Sequence, residues 1–261
     1  MNEPLRIVAL ISGNGSNLQA IIEAVEQQAL PARICAVISN NPHAPGLDHA
    51  HAAGIPTLAL DHKIFSDRTA FDAALQDAIE RFTPQLVVLA GFMRILGPAF
   101  TAHYEGRMLN IHPSLLPAFT GLNTHQRALE ARITAASGIR PPWMSEVSKM
   151  QEHFFDLPLA ALTEPFAGAL PCATEHGASV HFVTRELDGG PVIIQARVPI
   201  LDSDTIKTLA QRVLNAEHCI YPLAIRWFAE GRLQLIQGKV ILDGLLLTAP
   251  VNYQHELSQT Q

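Results

Sequence analysis

The amino-acid sequence predicts a doubly wound α/β fold with a mostly parallel central sheet. Short, wholly apolar runs alternate with stretches whose apolar residues recur at helical spacing, and this alternation indicates right-handed βαβ crossovers. Residues 7–11 and 86–90 contain no polar residue, as expected of strands covered on both faces of a parallel sheet. With 261 residues, 48% hydrophobic and 16% charged, the chain is long enough to bury a substantial core.

Strands and helices alternate through the first half of the chain. A glycine-rich turn follows residues 7–11, and a helix is then predicted from the spacing of Leu18, Ile21, Ile22 and Val25. Residues 34–38 and 56–60 are strand-like and enclose a helix-compatible stretch at 47–53. A second helix face is formed by Phe71, Leu75, Ile79 and Phe82. Pro84 ends that helix before the next strand.

The second half continues with strands that are closer together. Residues 108–111 form a short predicted strand, and residues 179–183 and 192–198 form a pair joined by a glycine-containing turn. A further helix is predicted from Ile206, Leu209, Val213 and Ile220. Residues 233–242, which surround Gly238, predict a terminal hairpin.

Residues 131–173 interrupt the alternation and contain no strand candidate. The interruption is marked by Pro141, Pro142, Pro158, Pro165 and Pro171. We therefore predict one domain over residues 1–250 with an insertion at 131–173, whose middle, 147–155, could form a short helix. Because doubling the length of a surface loop costs only about 0.6 kcal/mol, the fold should survive the insertion. Three interpretations stay open: an inert excursion, which is the default, a lid or partner-binding element, or an accident of the reading frame.

The composition argues against several classes of protein. A net charge of −6 is unfavourable for binding nucleic acid or an anionic membrane, because both need a surplus of Lys and Arg on one face. No run approaches the roughly 20 apolar residues of a membrane span, and no basic-then-apolar leader begins the sequence. The cysteines, Cys35, Cys172 and Cys219, form no Cys-x-x-Cys pair, which disfavours disulfides and zinc. We expect a cytoplasmic protein without a metal, nucleic acid or membrane partner.

The first candidate site is the turn at residues 12–17, Ser-Gly-Asn-Gly-Ser-Asn, between a predicted strand and a helix. Backbone N–H groups and the helix dipole converge on an anion at such a place. The turn has neither the G-x-G-x-x-G spacing of dinucleotide folds nor the G-K-[ST] of a P-loop, so a monophosphate is favoured. The alternative is a helix start capped by Ser16 or Asn17, with no ligand.

A second candidate site lies at residues 110–117, where a predicted strand ends. Asn110 and His112 are two residues apart and therefore point to the same side of a strand. An amide and an imidazole aimed at one point can stabilise an oxyanion and exchange a proton, or simply close a polar loop. Asp188, on a Gly-Gly turn, could reach His112 and favour its imidazolium form, or serve only as a turn residue.

Three further charged residues are weaker candidates. Glu217 could contact an amine or ribose hydroxyls, and Arg68 and Arg94 could face an anionic ligand. Each of these side chains could equally be a solvated surface charge.

Four segments of the chain, in the same order, carry a resemblance to a known family: residues 11–17, 89–96, 110–117 and 181–191. They resemble the phosphoribosylglycinamide (glycinamide ribonucleotide) formyltransferases of the stand-alone, folate-dependent bacterial type. The resemblance extends over residues 6–130 and 176–244. It implies a Rossmann-like formyltransferase fold and transfer of a formyl group from 10-formyltetrahydrofolate, a cosubstrate, to the amine of the ribonucleotide in purine biosynthesis.

The resemblance also implies a role for each matched position. The ribonucleotide would be bound by Gly15, Ser16 and Asn17 at its phosphate and by Leu214, Asn215, Ala216 and Glu217 elsewhere. Folate would be bound by Arg68, Met93, Arg94, Ile95, Leu96, Asn110, Thr184, Arg185, Glu186, Leu187 and Asp188. The catalytic group would be Asn110, Asp188 and His112, the last as proton donor. Residues 1–105 would form the ribonucleotide-binding half, and residues 106–130 with 174–250 the catalytic and folate-binding half.

The sequence departs from the family pattern at residues 118–125, which are Ala-Phe-Thr-Gly-Leu-Asn-Thr-His. The usual segment of the family resembles Lys-Tyr-Pro-Gly-Leu-His-Thr-His. Ala118 and Asn123 therefore remove a basic residue and a histidine from a loop expected to contact substrate. The insertion is the second departure.

Two other interpretations of function remain. One is a different folate-dependent enzyme, either a methionyl-tRNA formyltransferase, expected to carry a C-terminal nucleic-acid-binding domain, or a formyltetrahydrofolate hydrolase, expected to carry an extra N-terminal domain. The other is a ribonucleotide-binding protein without catalytic activity. The expected partners are the two small-molecule substrates, bound by a monomer or homodimer.

Overall fold

The computed structural model describes residues 3–137 and 174–253. Its strands are β1 (Leu5–Ile11), β2 (Ala32–Ser39), β3 (Thr57–Ala59), β4 (Leu86–Leu89), β5 (Met108–His112), β6 (Glu175–Phe182), β7 (Val192–Pro199), β8 (Leu233–Ile236), β9 (Lys239–Leu242), β10 (Leu245–Leu246) and β11 (Val251–Tyr253). Its α-helices are α1 (Ser16–Glu26), α2 (Gly46–Ala52), α3 (Arg68–Glu80), α4 (Pro98–His103), α5 (Thr124–Ser137) and α6 (Ile206–Ala229). A short 3-10 helix occupies His62–Ile64.

The central sheet has eight strands in the order β11-β7-β6-β5-β4-β1-β2-β3. The five strands from β3 to β5 in this order are parallel to one another. Strand β6 is antiparallel to both β5 and β7, and β11 is parallel to β7. A small antiparallel sheet, β10-β9-β8, follows α6. The predicted mostly parallel α/β fold with a C-terminal hairpin is confirmed.

The two faces of β1 belong to different hydrophobic cores. Ile7, Ala9 and Ile11 pack in the larger core, which includes the apolar faces of α1 and α6. Val8 and Leu10 point the other way, into a core formed with α3 and α4. Because successive strand residues face opposite sides and helices cover both, every position from Ile7 to Ile11 must be apolar. The wholly apolar run at 7–11 has this physical origin.

The chain runs outward from β1 in both directions, through β2 and β3 on one side and through β4 and β5 on the other. Such a change of direction opens a crevice at the carboxyl ends of the central strands. The turn at residues 12–17, the segment at 90–97 and the residues after Asn110 all follow these ends, so the fold gathers them at one edge of the sheet.

Helix α6 crosses this edge and is anchored there by Tyr221. The fully buried Tyr221 hydroxyl lies 3.1 Å from the carbonyl oxygen of Leu89 and 3.0 Å from that of Leu109, on the neighbouring strands β4 and β5. Its single proton is shared between the two acceptors. Glu217 lies one helical turn earlier, so this anchor also sets its position. In the described ranges, no helix combines the length and apolar character needed to cross a membrane.

Five elements were not predicted from the sequence: α4, α5, β10, β11 and the 3-10 helix. The described buried side chains of α5 are the small residues Thr124, Ala128 and Ala131, which leave little apolar periodicity to detect. This helix continues to Ser137, past the predicted start of the insertion at 131. The short helix considered at 147–155 lies outside the described residues.

Replacing Tyr221 by phenylalanine is expected to lower the free energy of unfolding by about 1–2 kcal/mol, because two buried carbonyls lose a shared donor. Urea unfolding of the purified protein measures this change. Tyr104→Phe is the matched comparison, since the Tyr104 hydroxyl donates to the part-exposed Glu80 at 2.9 Å and its loss should cost less. Equal stability of wild type and Tyr221→Phe would contradict the proposed anchor.

Candidate active site

A cleft of about 590 Å³ lies at the carboxyl edge of β1, β4 and β5. The turn after β1, the residues after β4 and β5, and the first half of α6 form its walls. The lining residues are Ser12, Gly13, Asn14, Gly15, Ser16, Asn17, Ala90, Gly91, Met93, Ile111, Pro113, His125, Lys207, Ala210, Gln211, Leu214 and Glu217.

The turn at 12–17 presents the start of α1 to this cleft without a side-chain cap. Gly15, at the N-cap, has a φ of 73° and leaves no room for a side chain, since an added Cβ would lie 2.6 Å from the Cα of Gly46. The Gly46 N–H donates to the carbonyl of Gly13 at 3.0 Å, which pins the turn against α2. The first N–H groups of α1 therefore stay open to the cleft, in the arrangement that binds anions at helix N-termini.

Glu217 faces this turn from α6. Asn17 Nδ2 donates to Glu217 Oε2 at 2.6 Å, and both residues are buried. Burial raises the pKa of Glu217 to about 7, although the Asn17 hydrogen bond acts in the opposite direction. Asn17 Oδ1 is also buried and has no hydrogen-bond partner among the described residues. Glu217 is thus a buried group of the cleft and not a solvated helix charge.

His112 and Asp188 are brought together from distant parts of the chain. His112 ends β5, and Asp188 lies in the β6–β7 turn, where its φ of 52° is one that aspartate tolerates. His112 Nδ1 is 3.5 Å from Asp188 Oδ2, and each side chain is 8% exposed, so water screens this pair little. The Gly121 N–H donates to Asp188 Oδ2 at 2.8 Å and holds the carboxylate in place.

The second nitrogen of His112 also faces an oxygen. Its Nε2 lies 3.0 Å from the carbonyl of Phe119. With Asp188 Oδ2 3.5 Å from Nδ1, each ring nitrogen of His112 therefore faces an oxygen. Residues 119–121 therefore contact both members of the pair, one through a carbonyl and one through an N–H.

Asn110 is oriented by His181 on the adjacent strand. His181 Nδ1 donates to the carbonyl of Phe182 at 2.9 Å, which leaves Nε2 to accept from Asn110 Nδ2 at 3.1 Å. Burial lowers the pKa of His181, consistent with a neutral ring that can accept this bond. Asn110 Nδ2 keeps a second hydrogen for another acceptor. This second N–H of Asn110 is a donor of the kind that stabilises an oxyanion.

The sequence matches the formyl transferase family over residues 5–139 and 166–225. The chain belongs to the formyl transferase family. It is 46% identical over 240 residues to the phosphoribosylglycinamide formyltransferase of Escherichia coli (strain K12), covering 92% of this chain and 94% of that protein. It is 40% identical to the enzyme of the same name from Haemophilus influenzae (strain ATCC 51907 / DSM 11121 / KW20 / Rd), covering 93% and 95%.

Solved structures show the same similarity. The phosphoribosylglycinamide formyltransferase of Coxiella burnetii, solved in complex with CHES, superposes with a TM-score of 0.76 at 46% identity. The match covers 96% of this chain and 100% of that chain. The enzyme from Brucella melitensis matches with a TM-score of 0.67 at 41% identity over 87% of this chain and 96% of that one. The family resemblance drawn from the four sequence segments is thereby confirmed.

The residues expected to bind the ribonucleotide in this formyl transferase do not all face the cleft. Gly15, Ser16, Asn17, Leu214 and Glu217 line it. Ala216 is fully buried in the larger core. The exposed Asn215 accepts a hydrogen bond from Gln211 at 3.0 Å. Because neighbouring helix residues differ by about 100° in direction, four consecutive residues of α6 cannot all reach one ligand with their side chains.

Sequence reasoning missed several residues that shape the site. Lys207 is the one lysine or arginine among the cleft-lining residues, and it occupies the same face of α6 as Leu214, seven residues later. A helical projection backwards from Glu217 would have found it. By contrast, nothing in the sequence indicated that Phe119 and Gly121 would contact the His112–Asp188 pair through backbone atoms, or that His181 would orient Asn110.

Two neighbouring histidines, His125 and His176, lie against the loop at 118–123. His125 Nδ1 lies 3.1 Å from His176 Nε2, and the His176 ring meets Phe119 edge-on with ring centroids 6.0 Å apart. Burial, reinforced by the nearby His125 and His112, lowers the pKa of His176 to about 3, so this ring stays neutral. Among the described residues, no three His, Cys, Asp or Glu side chains are grouped so as to hold a metal ion.

The raised pKa of Glu217 predicts a pH-dependent stability. A group whose pKa is higher when folded than when unfolded contributes stability that is complete below its ordinary value of 4.5 and is lost as pH rises through about 7. Glu217→Gln should remove this loss and be more stable than wild type at pH 8, by about 3 kcal/mol. Near pH 4 the two proteins should differ least.

Urea unfolding between pH 4 and pH 8 measures this difference. Glu26→Gln, an exposed glutamate of α1, is the matched control and should follow the wild-type profile at every pH. A constant difference between Glu217→Gln and wild type across the range would show that Glu217 does not titrate as described.

Proposed function

We propose that the chain transfers the formyl group of 10-formyltetrahydrofolate to the amine of 5′-phosphoribosylglycinamide, a step of de novo purine biosynthesis. The observation that carries this proposal is the placement of an uncapped helix N-terminus and a buried His112–Asp188 pair at one edge of the sheet. The first suits a phosphate, and the second suits a reaction that develops charge on oxygen. Identity of 46% to an enzyme of this name over 92% of the chain supports it.

The ribonucleotide would bind with its phosphate at Gly15, Ser16 and Asn17. The open N–H groups of α1 would donate to the phosphate oxygens, and Lys207 would supply a cation from the opposite wall of the cleft. Glu217, already hydrogen-bonded to Asn17, would accept from the amine or from ribose hydroxyls. Leu214 would add apolar contact, and Asn215 and Ala216 could contribute only backbone groups.

Folate would bind on the side of the His112–Asp188 pair that faces away from the ribonucleotide phosphate, between residues 93–96 and 184–188. Exposed apolar side chains are present on both segments: Met93 is 68% exposed, Ile95 57% and Leu187 58%. Such side chains can cover an aromatic ring system. Arg68 and Arg94 would face the anionic end of the molecule. Met93 also lines the ribonucleotide cleft, so the two substrates would meet beside it.

The chemistry follows from the donors at the end of β5. The substrate amine attacks the formyl carbon, and negative charge develops on the formyl oxygen. Asn110 Nδ2 and a ring N–H of His112 would donate to that oxygen, while Asp188 would stabilise the imidazolium. Since Nδ1 faces Asp188, Nε2 is the nitrogen left for the substrate, which would replace the Phe119 carbonyl. The proton of the amine would then be relayed to the departing folate nitrogen.

The proposed organisation is one domain over residues 1–250 with an insertion at 131–173 that does not take part in the reaction. The family match, which leaves residues 140–165 unmatched, supports an insertion in this part of the chain. Residues 1–105 would form the ribonucleotide half, and residues 106–130 with 174–250 the catalytic and folate half. We further propose a cytoplasmic location and a monomer or homodimer, with no nucleic-acid partner, in keeping with the net charge of −6.

The proposal is tested by following folate absorbance after the purified protein is mixed with 5′-phosphoribosylglycinamide and 10-formyltetrahydrofolate. Conversion of 10-formyltetrahydrofolate to tetrahydrofolate is expected only when the ribonucleotide is present, because the amine of the ribonucleotide is the nucleophile. Conversion without the ribonucleotide would identify a hydrolase. Ribonucleotide binding without conversion, by folded protein, would identify a binding protein and overturn the proposal.

Replacing His112 by alanine should lower kcat by about 10²–10⁴-fold, the usual contribution of a positioned proton donor. The Kd of the ribonucleotide, measured by calorimetry, should change little because His112 is not among the residues lining its cleft. His43→Ala, an exposed histidine in the β2–α2 connection, is the control and should retain full activity. Survival of turnover in His112→Ala would exclude His112 as the proton donor.

A further inference from the structure

Asp72 is a buried carboxylate on α3, outside the site described above. It is 8% exposed, and its Oδ2 accepts the Gly97 N–H at 2.7 Å. Its Oδ1 is buried and has no hydrogen-bond partner among the described residues. Burial raises the pKa of Asp72, while the Gly97 hydrogen bond and the charges of Arg68 and Arg94 oppose this rise. A carboxylate left half satisfied in the interior is unfavourable for stability.

The contact between Asp72 and Gly97 joins two elements that carry proposed folate ligands. Arg68 begins α3, one turn before Asp72, and Gly97 directly follows the segment 93–96. The approach is tight: a Cβ added to Gly97 would lie 2.7 Å from Asp72 Oδ2 and 4.0 Å from Arg68 Nε. A side chain at position 97 would therefore have to displace the Asp72 carboxylate, whereas the backbone conformation of Gly97 does not call for glycine.

The two arginines lie near this carboxylate but form no ion pair with it in the described part of the chain. Neither Arg68 nor Arg94 forms an ion pair with Asp72 within 4.0 Å among the described residues, and both act on it only at longer range. Arg94 Nε is buried and has no hydrogen-bond partner in the described part of the chain. Each guanidinium group thus keeps its donors for another anion while remaining in the field of Asp72.

We propose that Asp72 is a positioning residue for folate binding: through the Gly97 N–H it holds segment 93–97 against α3, so that Arg68 and Arg94 present their guanidinium groups to the carboxylate end of 10-formyltetrahydrofolate. This inference rests on the proposed function. Asp72 acts through Gly97 and the arginines and does not touch the substrate. Loss of its hydrogen bond lets the segment carrying Arg94 move relative to Arg68, which weakens folate binding and leaves the His112–Asp188 chemistry unchanged.

Three variants test this role. Asp72→Ala removes the acceptor, Gly97→Ala pushes the carboxylate away with the added methyl, and Asp72→Asn retains an oxygen that can accept the Gly97 N–H. The first two should raise the KM for 10-formyltetrahydrofolate about tenfold, the loss expected for one hydrogen bond to a charged acceptor. Their kcat and ribonucleotide Kd should stay within about twofold of wild type. Asp72→Asn should recover most of the affinity.

The control is Asp77→Asn, which removes an exposed carboxylate from the same helix and should leave every constant unchanged. Thermal unfolding of each variant separates an effect on folding from an effect on folate binding. If Asp72→Ala folds poorly, the comparison of Gly97→Ala with Asp72→Asn still tests the inference. A wild-type KM in folded Asp72→Ala or Gly97→Ala, a parallel fall in kcat and ribonucleotide affinity, or an Asp72→Asn protein as impaired as Asp72→Ala would each overturn the inference.

Direct calorimetric titration with tetrahydrofolate distinguishes this failure from failure of the proposed function. Wild type that binds no folate would remove the basis of both proposals. Wild type that binds folate, with Asp72→Ala binding it equally well, would overturn the role of Asp72 alone. Weaker binding by Asp72→Ala and Gly97→Ala, with normal ribonucleotide binding, supports it.

Discussion

The parallel pairing of β1, β4 and β5 is the constraint on which the rest of the structure depends. Parallel strands end on the same edge of a sheet, so the turns that follow them are gathered there whatever their distance in the sequence. Helices must then cover both faces, and two separate cores form on either side of β1. Helix α6 completes the edge, since the Tyr221 hydroxyl contacts the carbonyls of β4 and β5 together.

Buried polar groups with incomplete partners occur on several elements of the described structure. Asn17 and Asp72 each retain a buried oxygen, and Arg94 a buried nitrogen, without a hydrogen-bond partner among the described residues. Glu217 is buried against Asn17 alone. Each group weakens folding unless a ligand or another charge stabilises it.

The backbone of residues 119–121 has a comparable role at the catalytic pair. One carbonyl faces His112 and one N–H donates to Asp188, so a short loop determines how both side chains are oriented. Arg127 holds the same loop from α5: it donates to the Thr120 carbonyl at 2.6 Å, and its guanidinium lies 5.5 Å from the centroid of the Phe119 ring. Ala118 and Asn123, where the family pattern has a lysine and a histidine, flank these contacts.

Local chemistry and periodicity were sufficient to predict most of the elements in their order, the glycine-containing turn at residues 12–17 and the strand end carrying Asn110 and His112. Wholly apolar runs indicate strands buried on both faces, and glycines between a strand and a helix indicate a turn that leaves the helix N-terminus open. The weak points were elements without a strong pattern. Helix α5 buries small residues, and β11 has only three residues, so neither produces a periodic signal.

The sequence by itself determined the fold class and the family, because these depend on patterns that repeat along the chain or on short motifs in a fixed order. Only the tertiary structure decided that Asp188 lies 3.5 Å from His112, that Glu217 is buried against Asn17, and that Asp72 holds Gly97. These contacts join residues that are 76, 200 and 25 positions apart. Burial and long-range pairing arise when the sheet closes, and no local sequence pattern encodes them.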